Sequence, residues 1–162
     1  YYTARFTQFD AQIEFNPQDP VQSSVTAQVN PLSVETDHPT KDSWDQTLAT
    51  DSKWFNGEAF PDITFASKGI ERTGDFTGLI TGDLTFLGVT KEIELNVTYN
   101  GTGNAPWFGA RDLIGFSATG TLKRSDFGMT ALLPNIGDEV EIIIEAEFLE
   151  APTESAEEKR GS

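Results

Sequence analysis

Residues Thr77–Asn100 read TGLITGDLTFLGVTKEIELNVTYN. In the first half, Gly78, Ile80, Gly82, Leu84 and Phe86 fall on alternate positions; in the second, Ile93, Leu95, Val97 and Tyr99 do. Side chains two residues apart share one face of a strand, so each half predicts a strand with one face turned inward. Leu87-Gly88 between them predicts a tight hairpin. An antiparallel pair of this kind sets the class, and the flanking sequence repeats it.

Upstream, Ala11, Ile13 and Phe15 alternate with Asp10, Gln12 and Glu14, and Asn16-Pro17 ends that strand. Val25, Ala27 and Val29 form a second, with Pro31 marking a bend or bulge. From Thr36 the period changes. Thr40 is placed to cap a short helix carrying Trp44 and Leu48, four residues apart on one face. Ile63 and Phe65 open a third strand, and Gly74-Asp75 turns it. Downstream, Gly101–Arg111 reads as a loop. Ile114, Phe116, Ala118, Gly120 and Leu122 share a face of the next strand. A loop from Ser125 to Asp138 leads to a last strand with Val140, Ile142, Ile144, Ala146 and Phe148 inward, and Glu139, Glu141, Glu145 and Glu147 outward.

About seven antiparallel strands and one short helix predict an all-β fold, a barrel or sandwich, and the meander order favours an up-and-down barrel. Residues 1–150 make one domain. Residues 151–162 are acidic, small and aromatic-free, which predicts a disordered tail, and Arg160-Gly161-Ser162 resembles a vector-derived remnant.

The 162 residues include 26 acidic and 11 basic ones, a formal charge of −15, which disfavours nucleic acid and anionic membrane surfaces as partners. The acids lie mostly on outward strand positions and in the tail, the pattern of a solvated surface. Cysteine is absent, removing disulfides and thiolate chemistry. No apolar run reaches the ~18 residues of a transmembrane helix. His38, the single histidine, sits in Thr36-Asp37-His38-Pro39, turn material. Any Ser-His-Asp arrangement would have to be built on it, so no catalytic residue and no metal site is expected.

The inward face is more informative. Gly78, Gly82, Ala118 and Gly120 stand where a packed barrel would carry bulky side chains. They either leave room for a ligand or relieve strain where strands coil. Trp44, Trp54, Phe55 and Phe60 form a satellite core or an entrance rim. Trp107 is a loop aromatic. Exposed tryptophans would instead suit a carbohydrate-binding β module, the main rival reading.

Three blocks carry a resemblance. Asp42, Trp54-Phe55 and Phe60–Ser67 are one; Gly82-Asp83-Leu84-Thr85-Phe86-Leu87-Gly88-Val89-Thr90-Lys91 is the second; Lys123–Met129 with Gly137-Asp138-Glu139-Val140 is the third. Together, and in this order, they resemble the YceI-like, polyisoprenoid-binding family. The resemblance implies a lipocalin-like antiparallel barrel of eight strands, from a bacterial periplasm or exterior and commonly dimeric. It also implies an enclosed isoprenoid chain, either a polyprenyl lipid or a respiratory quinone such as ubiquinone, for transport, storage or support of electron transfer. It implies neither catalysis nor a covalent cofactor. The family's opening strand, with a histidine-serine pair and a later histidine, falls before the equivalent of Tyr1 and has no counterpart here. That leaves seven strands and admits a larger parent protein. The span Lys41–Asn56 is also about four residues longer than in compact members. Alternation then assigns Ile13, Phe15, Phe65, Ile80, Leu84, Leu95, Phe116, Ile144 and Phe148 to the lining. Phe55, Phe127 and Met129 are expected at the rim.

Overall fold

The computed structural model describes residues 3–16, 18–105 and 111–149. Among them the strands are β1 (Ala4–Phe6), β2 (Phe9–Glu14), β3 (Ser24–Val29), β4 (Val34–Thr36), β5 (Ile63–Arg72), β6 (Thr77–Phe86), β7 (Val89–Ala105), β8 (Arg111–Lys123) and β9 (Glu139–Leu149). One helix, α1 (Lys41–Thr50), lies between β4 and β5. The main sheet has the order β2-β3-β5-β6-β7-β8-β9, every neighbour antiparallel. These are the seven strands read from alternation, and they curl into a nearly closed barrel. β2 and β9, at the two ends of the order, are not paired with each other among the described residues. A seam therefore stands between these two strands.

Local chemistry accounts for the connections. Phe86 pairs with Val89, and the two residues between them, Leu87 and Gly88, have φ of 53° and 74°. Both central residues of a type I′ turn need positive φ, which glycine adopts freely. A Cβ on Gly88 would also stand 2.8 Å from the Phe60 ring. Pro31 opens a 3-10 turn, Pro31–Ser33, whose Asn30 side chain accepts from the Leu32 N–H at 3.0 Å. The expected bend is thus a capped turn.

Three features differ from the sequence reading. The described residues of Gly101–Arg111 are strand: β7 continues to Ala105 and β8 begins at Arg111, with pairs from Gly101↔Gly115 to Ala105↔Arg111. The register shifts between Tyr99 and Gly101, where Gly101 has φ of 115°. A bulge at glycine interrupts the alternation that marks a strand without ending the ladder. Second, β1 and β4 form a separate two-stranded sheet, Ala4↔Thr36 to Phe6↔Val34. Three-residue strands are too short to show a period. Third, Thr40 occupies the N-cap position of α1, but its side chain does not cap the helix. Its hydroxyl lies 2.9 Å from His38 Nδ1 instead. The expected tail, 151–162, and the Trp107 loop lie outside the described residues.

Candidate ligand-binding interior

Paired residues on adjacent antiparallel strands share a face, so the register lays out the barrel interior row by row. Toward one end run Val29↔Ile63, Phe65↔Leu84, Phe86↔Val89 and Leu122↔Val140. Toward the other run Ile13↔Val25, Ile70↔Ile80, Gly78↔Val97, Tyr99↔Phe116 and Ile114↔Phe148.

The first end is filled. Leu48, Ala49 and Trp54, from α1 and the segment after it, are buried with Val34, Leu84, Phe86, Phe127 and Met129. Trp44 and Leu48 share the helix face turned to this core, as their spacing predicts. Phe127 and Met129 are only 2% and 4% exposed. Their expected position at a rim is therefore corrected: they are core. The cause is the strap Arg124–Asp138, which is tied down over this end. Buried Arg124 donates to the carbonyls of Gly137 at 2.9 Å, Ala131 at 3.2 Å and Ile136 at 3.0 Å, and its guanidinium lies 5.8 Å from the Trp54 ring centre. Asp138 accepts from the Ser125 N–H at 2.8 Å and the Ser125 hydroxyl at 2.6 Å. Those hydrogen bonds, the hydroxyl's first, hold its carboxyl below its ordinary range despite some desolvation. Phe55 is half-buried here, edge-on to Phe6 at 5.3 Å and tilted to Phe86.

The second end is open. Ile13, Val25, Ile80, Val97, Phe116, Ile142 and Phe148 face inward yet stay half-buried. At the seam Ile144 is 38% exposed. Phe15 reaches toward the opposite wall, stacking on Tyr99 at 5.8 Å and meeting Phe116 edge-on at 5.5 Å, while Phe116 meets Phe148 at 6.0 Å. Exposed Phe76 stacks on Tyr99 at 6.5 Å.

The inward glycines, left undecided by pattern, fall into two groups, one of which matches neither reading. At Gly82 a Cβ would run into the Phe65 ring and stand 2.6 Å from the Ala66 carbonyl; at Gly120 it would stand 2.7 Å from Leu95 Cδ2. Those two make way for a neighbour's side chain. At Gly78 the nearest side-chain atom is Ile70 Cγ2 at 4.0 Å, so its space is not filled in this way.

Of the twelve residues expected to touch a ligand, Phe55, Phe65, Leu84, Phe127 and Met129 thus belong to the packed end or lie against it. Ile13, Phe15, Ile80, Phe116, Ile144 and Phe148 lie around the open interior, and Leu95 is buried over Gly120 between the two. Phe76 and Tyr99 were not singled out. Phe76 shares its parity with Gly78 and Ile80, but it follows the Gly74-Asp75 turn directly and so reads as loop.

Other chemistry is sparse among the described residues. No group of three or more histidines and carboxylates is placed to hold a metal. His38 is exposed, its ring 5.7 Å from Trp44. No helix is long and apolar enough to cross a membrane. The outer face is acidic, with Lys68 bonded to Glu92 at 2.9 Å and 3.7 Å from Asp83. Trp54 is buried and meets Trp44 edge-on at 5.7 Å, so neither ring forms an exposed sugar platform.

The family model for the YceI-like domain matches residues 1–148. The chain belongs to the YceI family. It is 36% identical to the proteins named YceI of Salmonella arizonae and Salmonella newport over 142 residues, which cover 88% of this chain and 71% of each relative. The fold agrees with the YCEI protein of Campylobacter jejuni at a TM-score of 0.82 and 28% identity, over 93% of this chain and 85% of that one. BcnA of Burkholderia cenocepacia shares the fold at a TM-score of 0.77 and 23% identity, over 90% and 86% of the two chains. Family and architecture thus agree on a YceI barrel, plugged at its helix end and open at the other.

Proposed function

We propose that this YceI barrel is a non-enzymatic carrier for a long isoprenoid lipid, a polyprenyl lipid or a respiratory quinone, working as a dimer in a bacterial periplasm or exterior. The observation that carries the reading is the half-buried apolar interior around Ile13, Ile80, Val97, Phe116 and Ile142, beside a helix end that is fully packed. Apolar surface left wet inside a fold is uncommon, and covering it gains roughly 25 cal/mol per Å². A flexible prenyl tail laid along these rows supplies that cover at ~0.8 kcal/mol per methylene, with no hydrogen bond required. Fully buried Phe127 and Met129 make the wall against which the tail would stop.

The test is uptake of a prenyl alcohol by delipidated protein, followed by co-elution in gel filtration. Wild type is expected to retain the lipid, and Phe116→Asp to lose it with its circular dichroism unchanged. Retention by folded Phe116→Asp would refute the interior as the binding place. A soluble polysaccharide run in parallel is expected to leave tryptophan fluorescence unchanged, the opposite of what a sugar platform would show.

A further inference from the structure

One ladder of the barrel stops short of its neighbours. β7 and β8 are paired from Ala105↔Arg111 up to Asn96↔Thr119 and no further. The ladders on either side run on: β6 stays paired with β7 to Phe86↔Val89, and β8 with β9 to Lys123↔Glu139. Val89–Leu95 and Gly120–Lys123 therefore each keep one bonded edge and turn an unpaired edge toward the other. Continuing the same register would set Ile93 against Leu122 and Lys91 against Arg124, like charges directly opposite. Arg124 instead turns away into the strap, its backbone N–H donating to the Asp138 carbonyl at 2.8 Å. The strands part gradually. At Gly120 a Cβ would still stand 2.9 Å from the Glu94 carbonyl. Beyond it lies a cleft of about 410 Å³, with Ile93, Leu122 and buried Phe127 against it and Glu92, Glu94 and Asp126 around it.

We infer that this cleft is a docking slot for an extended basic peptide segment of a partner protein, bound as an added strand on the parted edges of β7 and β8. An unpaired edge presents its N–H and C=O groups as a template for another chain, and here two such edges border one opening. A peptide supplies hydrogen-bond partners for them, which a lipid tail does not. Alternate side chains of an added strand point to opposite faces of the sheet. One row would meet Ile93 and Leu122, the other Glu94 and Thr121, so the segment is apolar on one face and polar on the other. Charge sets its sign. Lys91 is the one cation lining the cleft, against Glu92, Glu94 and Asp126, and the adjoining hollow carries Glu139 and Glu141. Lys68 already engages Glu92 at 2.9 Å, whereas Glu94 and Asp126 have no ion pair among the described residues. A second copy of this chain, with 26 acidic residues against 11 basic ones, would be repelled. Docking there leaves the open end clear, whatever the interior holds.

The probe is a short peptide alternating lysine and valine, titrated into the full chain. Its controls are the glutamate–valine peptide and a backbone N-methylated lysine–valine peptide. N-methylation keeps the charge and removes N–H donors, so it separates strand pairing from mere attraction to an acidic surface. The lysine–valine peptide is expected to bind about tenfold more tightly than either control. It should also slow amide hydrogen exchange within 91–94 and 121–123. Glu94→Lys combined with Asp126→Lys, both exposed positions, should weaken it about fivefold. The same charge change at exposed Glu71 and Asp75, Glu71→Lys with Asp75→Lys, should leave the Kd within about twofold. Equal affinity for the N-methylated peptide, equal weakening by the two charge reversals, or unchanged exchange at both edges overturns the slot. Protection of the same amides by a prenyl alcohol in place of the peptide overturns it too, making the cleft a side mouth of the interior. No binding of the lysine–valine peptide to folded wild type overturns it outright and leaves the lipid reading standing.

Discussion

The two ends of the barrel are lined by the same kinds of residue and do opposite things with them. At the helix end, Phe65 and Phe86 on the strands meet a second layer that supplies Trp54, Phe55 and Phe127, from the segment trailing α1 and the strap held by Arg124. At the open end, Phe15, Tyr99, Phe116 and Phe148 meet one another and exposed Phe76, with no second layer over them among the described residues. Aromatic content therefore does not distinguish a core from a binding surface. What distinguishes them is whether another part of the chain covers the rings, which the strands themselves do not encode.

The sharpest way to break this contrast is to truncate one ring at each end. Phe127→Ala should cost about 3–5 kcal/mol, the range for emptying a packed aromatic site. Phe116→Ala should cost only about 1–2 kcal/mol while weakening lipid retention. Urea denaturation measures both, and equal losses would mean that the open end is packed too. Next in size is Arg124→Leu, which leaves the carbonyls of Ala131, Ile136 and Gly137 without their donor and should cost roughly 3 kcal/mol. Enhanced proteolysis within 125–138 in this variant would locate the damage in the strap, whereas a strap cut no faster than in wild type would count against the clamp.

Smaller again is the difference between two glycines. Gly82→Ala should destabilise by about 1–3 kcal/mol because Phe65 and the Ala66 carbonyl already occupy the space. Gly78→Ala meets the Glu71 carbonyl at 3.2 Å and little else, so it should cost less. Thermal melts of the pair check the order, and a reversed order would mean that the glycines do not mark filled and open interior.

These cases show how far the residues were legible. The seven barrel strands, the Leu87-Gly88 hairpin and the Trp44/Leu48 helix face follow from periods of two and three to four residues, which are local. The roles of Phe127 and Met129 do not. They lie in a segment without period, and the contacts that bury them come from Trp54, Phe86 and the Arg124 bonds, distant in sequence. Gly82 and Gly120 stayed ambiguous for a related reason, since a glycine in a strand looks the same whether a neighbour's ring or nothing stands over it. β1 and β4 were missed for shortness. Phe76 was missed because it sits in a turn.

The smallest expected effect concerns acid. Asp138 is held below its ordinary value of 3.8 by Ser125, so its folded form prefers the charged state. That contribution is present above the ordinary carboxylate range and is lost as pH falls through the lower folded value. The Ser125 amide resonance should therefore shift below about pH 4, ahead of any change in the Phe15–Tyr99–Phe116 cluster. Simultaneous change at both ends would deny that the strap responds on its own.

The most direct test of the account is to extract the purified protein with organic solvent and identify what emerges by mass spectrometry. A prenyl lipid or quinone near one equivalent per chain, absent from folded Phe116→Asp prepared alongside, is the predicted result. An empty extract from folded wild type that also takes up no added prenylquinone would contradict the claim that the open interior holds an isoprenoid.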